Sequence, residues 1–176
     1  MKNTILSISV LFFITALSLS QTKWTEITYS YQTGTVPPPH FYRYDFTINS
    51  GGFGTLVYQP DYPDTETWVY TVKLTNEDIK QVTEALEKSG ILDITIPSLA
   101  DTLKPFGGSV ENLSVMLEQN PDLDQMPGRI VTPKFPQKEY KEQLDKLYSV
   151  IKNLIPQSTW DEINGRKDEF IKNYNK

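Results

Sequence analysis

Between residues 24 and 74 the chain runs through four short stretches in which apolar and polar residues alternate, and each predicts a half-buried β-strand. In WTEITYSYQ (24–32), Ile27, Tyr29 and Tyr31 fall on one face and Thr28, Ser30 and Gln32 on the other. FYRYDFTI (41–48) puts Tyr42, Tyr44, Phe46 and Ile48 inward, against Arg43, Asp45 and Thr47. TLVYQ (55–59) is a third strand, and Trp68, Tyr70, Val72 and Leu74 mark a fourth. The segments between them are breakers. TGTVPPPH (33–40) holds three consecutive prolines, which cannot donate to a ladder and set a rigid extended connector. NSGGFG (49–54) is a glycine-rich hairpin turn, and DYPDTE (61–66) is an acidic turn. Strands in this order pair in antiparallel succession.

The period then changes. Thr75 predicts an N-cap and Asp78, three residues on, completes a capping box, with Leu74 and Ile79 placed as a hydrophobic staple. Ile79, Val82, Ala85 and Leu86 form the apolar stripe of a helix over 75–89, and Gly90 ends it so that Ile91 folds back toward Leu86. A short strand or an extended segment is expected up to Pro97. SLADTLKPFGGS (98–109) reads as a loop with room for one helical turn. Leu113, Val115 and Leu117 predict a strand over 110–118. NPDLDQMPG (120–128) is a turn, and RIVTPKF (129–135) is the hairpin partner, kept to a sheet edge by Pro133. Tyr140, Leu144, Leu147, Ile151 and Leu154 define a second amphipathic helix from 137 to 154, stopped by Pro156. Ser158 with Asp161 predicts the start of a last, short helix, whose stripe of Trp160, Ile163, Phe170 and Tyr174 is thin and broken by Gly165. The expected fold class is α+β: an antiparallel sheet with two main helices packed on one face, and a C-terminal helical segment.

The first 20 residues, MKNTILSISVLFFITALSLS, change the picture of where this domain works. Lys2 precedes an apolar run of about a dozen residues. Ser18 and Ser20 stand where a signal peptidase reads, with Ala16-Leu17-Ser18 a second site. The expectation is a signal peptide over 1–20, cut before Gln21, and a single domain over 21–176 that is secreted or periplasmic. No stable membrane span is expected after cleavage. Cysteine is absent, so neither disulfides nor a lipid-modified cysteine is available. Without staples, stability must come from packing, and 12% aromatic residues, ten of them tyrosine, predict a ring-rich core. The chain has 17 Lys+Arg against 22 Asp+Glu, and loss of Lys2 with the leader takes the formal net charge from −5 to −6. This balance argues against nucleic acid as a partner, because phosphate neutralisation needs basic clusters.

Candidate chemistry is thin. His40 is the single histidine, and with no cysteine it cannot build a typical zinc site. FGGSVE (106–111) lacks the second glycine of a nucleophile elbow, having Glu111 there. GGFGTLV (51–57) opens like a dinucleotide fingerprint but ends on Val57 and leads into a strand. Acidic groups at Asp61, Asp64 and Glu66, and at Asp122 and Asp124, offer oxygen ligands for calcium, yet Met126 and Pro127 break the EF-hand pattern in the second. Asn112-Leu113-Ser114 matches a glycosylation acceptor within an expected strand. No residue is assigned a catalytic, cofactor-binding or metal-binding role, and no cofactor is expected. The rings Tyr29, Tyr31, Tyr42, Tyr44, Trp68 and Tyr70 are expected under the helices. The competing reading puts Phe41, Val69 and Tyr58 on the uncovered face as a protein or glycan contact.

The GGF turn (Gly51, Gly52, Phe53), the L-T-x-E-x-I helix start and the Leu86–Asp93 segment resemble small exported bacterial α+β domains of unknown function. The GGS turn at Gly107, Gly108 and Ser109 and the late Pro156-x-x-x-Trp160 belong to that likeness. The same turn and helix are similar to emfourin-type protein inhibitors of thermolysin-type metalloproteases. That resemblance implies protease inhibition, with no inhibitory residue carried over. The functional expectation is an exported, non-enzymatic binding module with a protein partner such as a protease. The alternatives are a carboxylate-based hydrolase acting on envelope glycans or a structural envelope component.

Overall fold

The computed structural model describes residues 24–37, 40–62, 66–118 and 128–174. The signal-peptide expectation, Asp64, and the turn carrying Asp122 and Asp124 lie outside the described residues. The strands are β1 (Trp24–Gln32), β2 (Arg43–Asn49), β3 (Phe53–Gln59), β4 (Trp68–Lys73), β5 (Val110–Leu117) and β6 (Arg129–Val131). The helices are α1 (Asn76–Ser89), α2 (Lys138–Lys152) and α3 (Gln157–Tyr174), with a 3-10 turn at Asp101–Leu103. The strands form one sheet in the order β4-β3-β2-β1-β5-β6, and all its pairings are antiparallel. The fold is α+β, as the alternation followed by helical periods predicts. Among the described residues no helix is long and apolar enough to cross a membrane.

Register decides what each face carries. Ile27 stands opposite Ile48 and Val115, Tyr29 opposite Phe46 and Leu113, and Tyr31 opposite Tyr44. Leu56 extends the second of these rows to Tyr70, and Tyr58 extends the third to Trp68. Because side chains alternate with period two, all of these point to the same side. All three helices cover that side. Trp24 donates its indole N–H to Thr83 Oγ1 of α1 at 3.1 Å. Tyr29 meets Tyr148 of α2 with ring centroids 5.5 Å apart, and Trp160 of α3 stands edge-on to Tyr44 at 5.2 Å. The result is one continuous buried core from Trp24 to Ile163. Thr132, just past β6, pins α2 to the sheet edge. Its hydroxyl bonds Tyr148 Oη at 2.7 Å and accepts the Leu113 N–H at 2.8 Å.

The capping box of α1 is present in full, with Thr75 and Asp78 bonded in both directions, and Gly90 closes the helix in the left-handed conformation. Three expectations need correction. The segment after Gly90 is a turn and irregular chain rather than a strand, tied only by an isolated bridge from Ser98 to Pro136. β6 stops at Val131, because Thr132 turns its hydroxyl inward and Pro133 follows. The last helix starts at Gln157, with the Pro156 carbonyl accepting from Thr159 and Trp160, so Ser158 lies inside the first turn and caps nothing.

Length is the larger surprise of α3, 18 residues with Gly165 inside it. Cations hold it to the sheet. The Arg166 guanidinium lies 4.4 Å from the Trp68 ring and the Lys167 ammonium 4.1 Å from the Tyr42 ring. Arg166 also reaches Tyr70 Oη at 3.4 Å. Burial pushes the Lys167 amine down, partly offset by Asp168.

Candidate functional site

The uncovered face of the sheet carries mostly polar side chains, with Phe53, Val69 and Val131 exposed among them. Ser114, Thr28, Thr47, Thr55 and Thr71 lie in one register row across five strands. Thr28 and Thr47 bond each other at 3.1 Å, Arg129 donates to Ser114 at 2.8 Å, and Arg43 donates to Gln59. The aromatic contact of the competing reading does not form here. Tyr58 is 2% exposed and stacks on Trp68 beneath the helices, and Phe41 is buried against Tyr62 with centroids 4.2 Å apart. Of that trio only Val69 faces solvent on the open side. The expected ring set, Tyr29, Tyr31, Tyr42, Tyr44, Trp68 and Tyr70, does share the covered face.

The largest apolar exposure lies instead on the loop between Pro97 and β5. Phe106 is fully solvent-exposed and Leu103 is 68% exposed. The start of the loop is held by hydrogen bonds. At the base, Ser98 bridges Pro136, and the Leu99 N–H and Ser98 hydroxyl both donate to the Phe135 carbonyl, at 2.8 and 3.2 Å. The Gln137 N–H returns a bond to Pro97 at 3.2 Å. Asp101 opens the 3-10 turn and pairs with the Lys104 ammonium at 2.6 Å. That hydrogen bond holds the Asp101 carboxyl below its usual range. On the far side, Gly107 and Gly108 both have φ of +85°, a conformation that glycine alone adopts without strain. Gly108 lies against Gly34 so closely that a Cβ on Gly34 would come 2.5 Å from the Gly108 backbone N and O. The loop after β1 and the GGS turn therefore approach each other backbone to backbone, and Phe106 projects between that close approach and the hydrogen-bonded base.

Beneath the loop, between it and α2, runs a cleft of about 260 Å³, with Leu99, Pro105, Phe135, Leu144 and Tyr148 among its walls. Two carboxylates line it, and each is committed to a lysine. Glu111 pairs with Lys152 at 3.4 Å and Asp145 with Lys141 at 3.0 Å. Tyr148 is pushed up to about 12 by burial, against the lowering effect of its bond to Thr132. Tyr29, behind Glu111, is raised further, first by burial and then by Tyr44 and Glu111. Its hydroxyl is close to both, yet makes no well-formed hydrogen bond among the described residues.

The remaining candidates from the sequence are scattered. His40 is exposed in the loop before β2. Asp61 is buried and accepts from the Tyr62 N–H at 2.7 Å, while Glu66 is exposed before β4. Asn112 sits half-buried on the open face, with Leu113 in the core. No group of three acidic or histidine side chains among the described residues is placed to hold a metal. A signal for the exposed loop was present in the sequence: Phe106 stands between a proline and two glycines, where no helical or strand period can carry its ring inward. With the fold and this loop in place, comparison with known proteins adds no assignment: no family model matches the chain, and no curated protein matches it.

Proposed function

We propose that this protein is an exported, non-enzymatic binding module that engages a protein partner through the 98–109 loop. Protease inhibition is the most concrete form of that activity. The observation that supports this reading most is Phe106, a large ring wholly in solvent on a loop bonded to the fold at its base. Exposed apolar groups on rigid loops mark interaction sites, and an aromatic anchor that enters a partner's pocket carries much of the affinity of an interface. The leader-like N-terminus supports an encounter in the periplasm or outside the cell.

The test is affinity capture with the immobilised protein from the source's own envelope fraction and culture fluid, with bound material identified by mass spectrometry. The reading expects one protein, a protease in its most concrete form, retained near one-to-one and lost when Phe106 is replaced by alanine. Recovery of no stoichiometric protein contradicts it.

A further inference from the structure

We infer that a second copy of this chain pairs antiparallel with the outer edge of β4, joining two six-stranded sheets into one about a two-fold axis beside Thr71. The 98–109 loop leads into β5, toward the other end of the strand order. This surface is therefore separate from the one in the binding reading above.

The two ends of the sheet are built differently. β6 has three residues and Pro133 follows it, which are ordinary protections of an exposed edge. β4 has six residues, no proline, and a register with β3 that runs without a bulge. The Leu74 N–H donates to the Gly52 carbonyl at 2.9 Å, which fixes the groups of β4 that face inward. Alternate residues of an antiparallel strand bond the same neighbour, so Trp68, Tyr70 and Val72 serve β3, while Val69, Thr71 and Lys73 turn N–H and C=O outward. Among the described residues no backbone hydrogen bond reaches those outward groups. A symmetric pair must match the edge to itself. With Thr71 opposite the second copy's Thr71, Val69 stands opposite the second copy's Lys73, and every outward donor and acceptor of these residues is satisfied. On the open face the row from Ser114 through Thr28, Thr47, Thr55 and Thr71 continues into the same row of the second copy. Lys73, the one charged residue of β4, meets no like charge in this register. It already lies beside Phe53, and its apolar stem then runs between Phe53 and the second copy's Val69, which are 57% and 62% exposed in the single chain. On the helix side, Leu74 comes opposite the second copy's Trp68. The exposed Glu77 in the first turn of α1 is thereby carried toward the Arg166 guanidinium that lies on that ring. Arg166 has no carboxylate partner of its own among the described residues. The two-fold makes this contact twice. Each feature of the edge finds its complement on the edge itself, which selects a second copy over a strand of another protein.

The experiment is sedimentation velocity of the purified protein over a wide range of concentration. Pairing through one strand makes a small interface, so a monomer–dimer equilibrium is expected rather than a permanent dimer. T71K and T71E each set a charge opposite its like across the axis, and each is expected to weaken the dimer by about 10-fold or more. Mixing the two variants should restore association as a heterodimer, as residue 71 facing itself requires. E77R is expected to weaken the dimer in turn, and F106A to leave it unaltered. Thr71 and Glu77 are both exposed, and unchanged thermal melts would show that their variants fold. A wild type that stays monomeric at every concentration overturns the inference, as does a dimer that T71K or E77R leaves unchanged, or a T71K and T71E mixture that stays apart. A monomeric wild type that captures a foreign protein, lost with T71K, also overturns it and gives the edge to another chain's strand.

Discussion

Individual side chains divide sharply between those that hold the fold and those available to a partner. Thr83 belongs to the first kind, because it receives the indole N–H of Trp24 in the core. Thr83→Val keeps the shape and orphans that donor, so it should cost about 1–3 kcal/mol in urea unfolding. Gly34 belongs to the first kind for a different reason. Any side chain there meets the Gly108 backbone, which cannot move as a flexible side chain would. Gly34→Ala should destabilise the chain by about 1–3 kcal/mol, and hydrogen exchange should locate the loss in 98–109. Phe106 is of the second kind. Its ring makes no burial contribution, so Phe106→Ala should leave the unfolding midpoint unchanged within about 0.5 kcal/mol.

At the level of elements, β1 to β4, α1 and α2 were legible because their periods are clean and their ends carry caps, turns or prolines. Thr75, Asp78 and Gly90 give the two ends of α1 without help from the rest of the chain. α3 was legible only as a fragment. Its contacts with the sheet include Arg166 on Trp68 and Lys167 on Tyr42 beside the apolar Trp160 and Ile163, and a count of apolar residues scores both cations as solvent-facing. The competing reading misplaced Tyr58 because pairing register, which sets which rings share a side, is a property of two strands and not of one. Removing the cationic clamps with Arg166→Ala and Lys167→Ala should weaken α3 by about 0.5–2 kcal/mol in each case. The check is faster amide exchange across 157–174, with α1 unaffected.

Across the whole molecule, a core without disulfides is built on tyrosines that burial keeps neutral. Tyr42 and Tyr148 are pushed up to about 12 and Tyr29, Tyr44 and Tyr58 beyond that, from an ordinary value of 10.0. The unfolded chain releases these protons near pH 10 and the folded chain does not. Above pH 10 the folded state therefore binds more protons, and stability falls as pH rises toward 12 and above. Denaturant melts should show a constant midpoint through neutral pH and a steep decline above pH 10, with phenolate absorbance and unfolding appearing together. A midpoint that holds to pH 12 would mean that the rings are not buried as described.

The candidate site was the least legible part, since a loop announces itself by lacking a period, and the close approach of Gly34 to Gly108 beside it is concealed by sequence distance. The measurement that tests its role most directly compares the binding of the captured partner to the wild-type protein, to Phe106→Ala, and to Val69→Ser on the open face of the sheet. The account predicts that wild type and Val69→Ser bind alike, while Phe106→Ala loses about 10- to 100-fold in affinity. Loss in Val69→Ser with Phe106→Ala unaffected would contradict it and move the contact to the sheet.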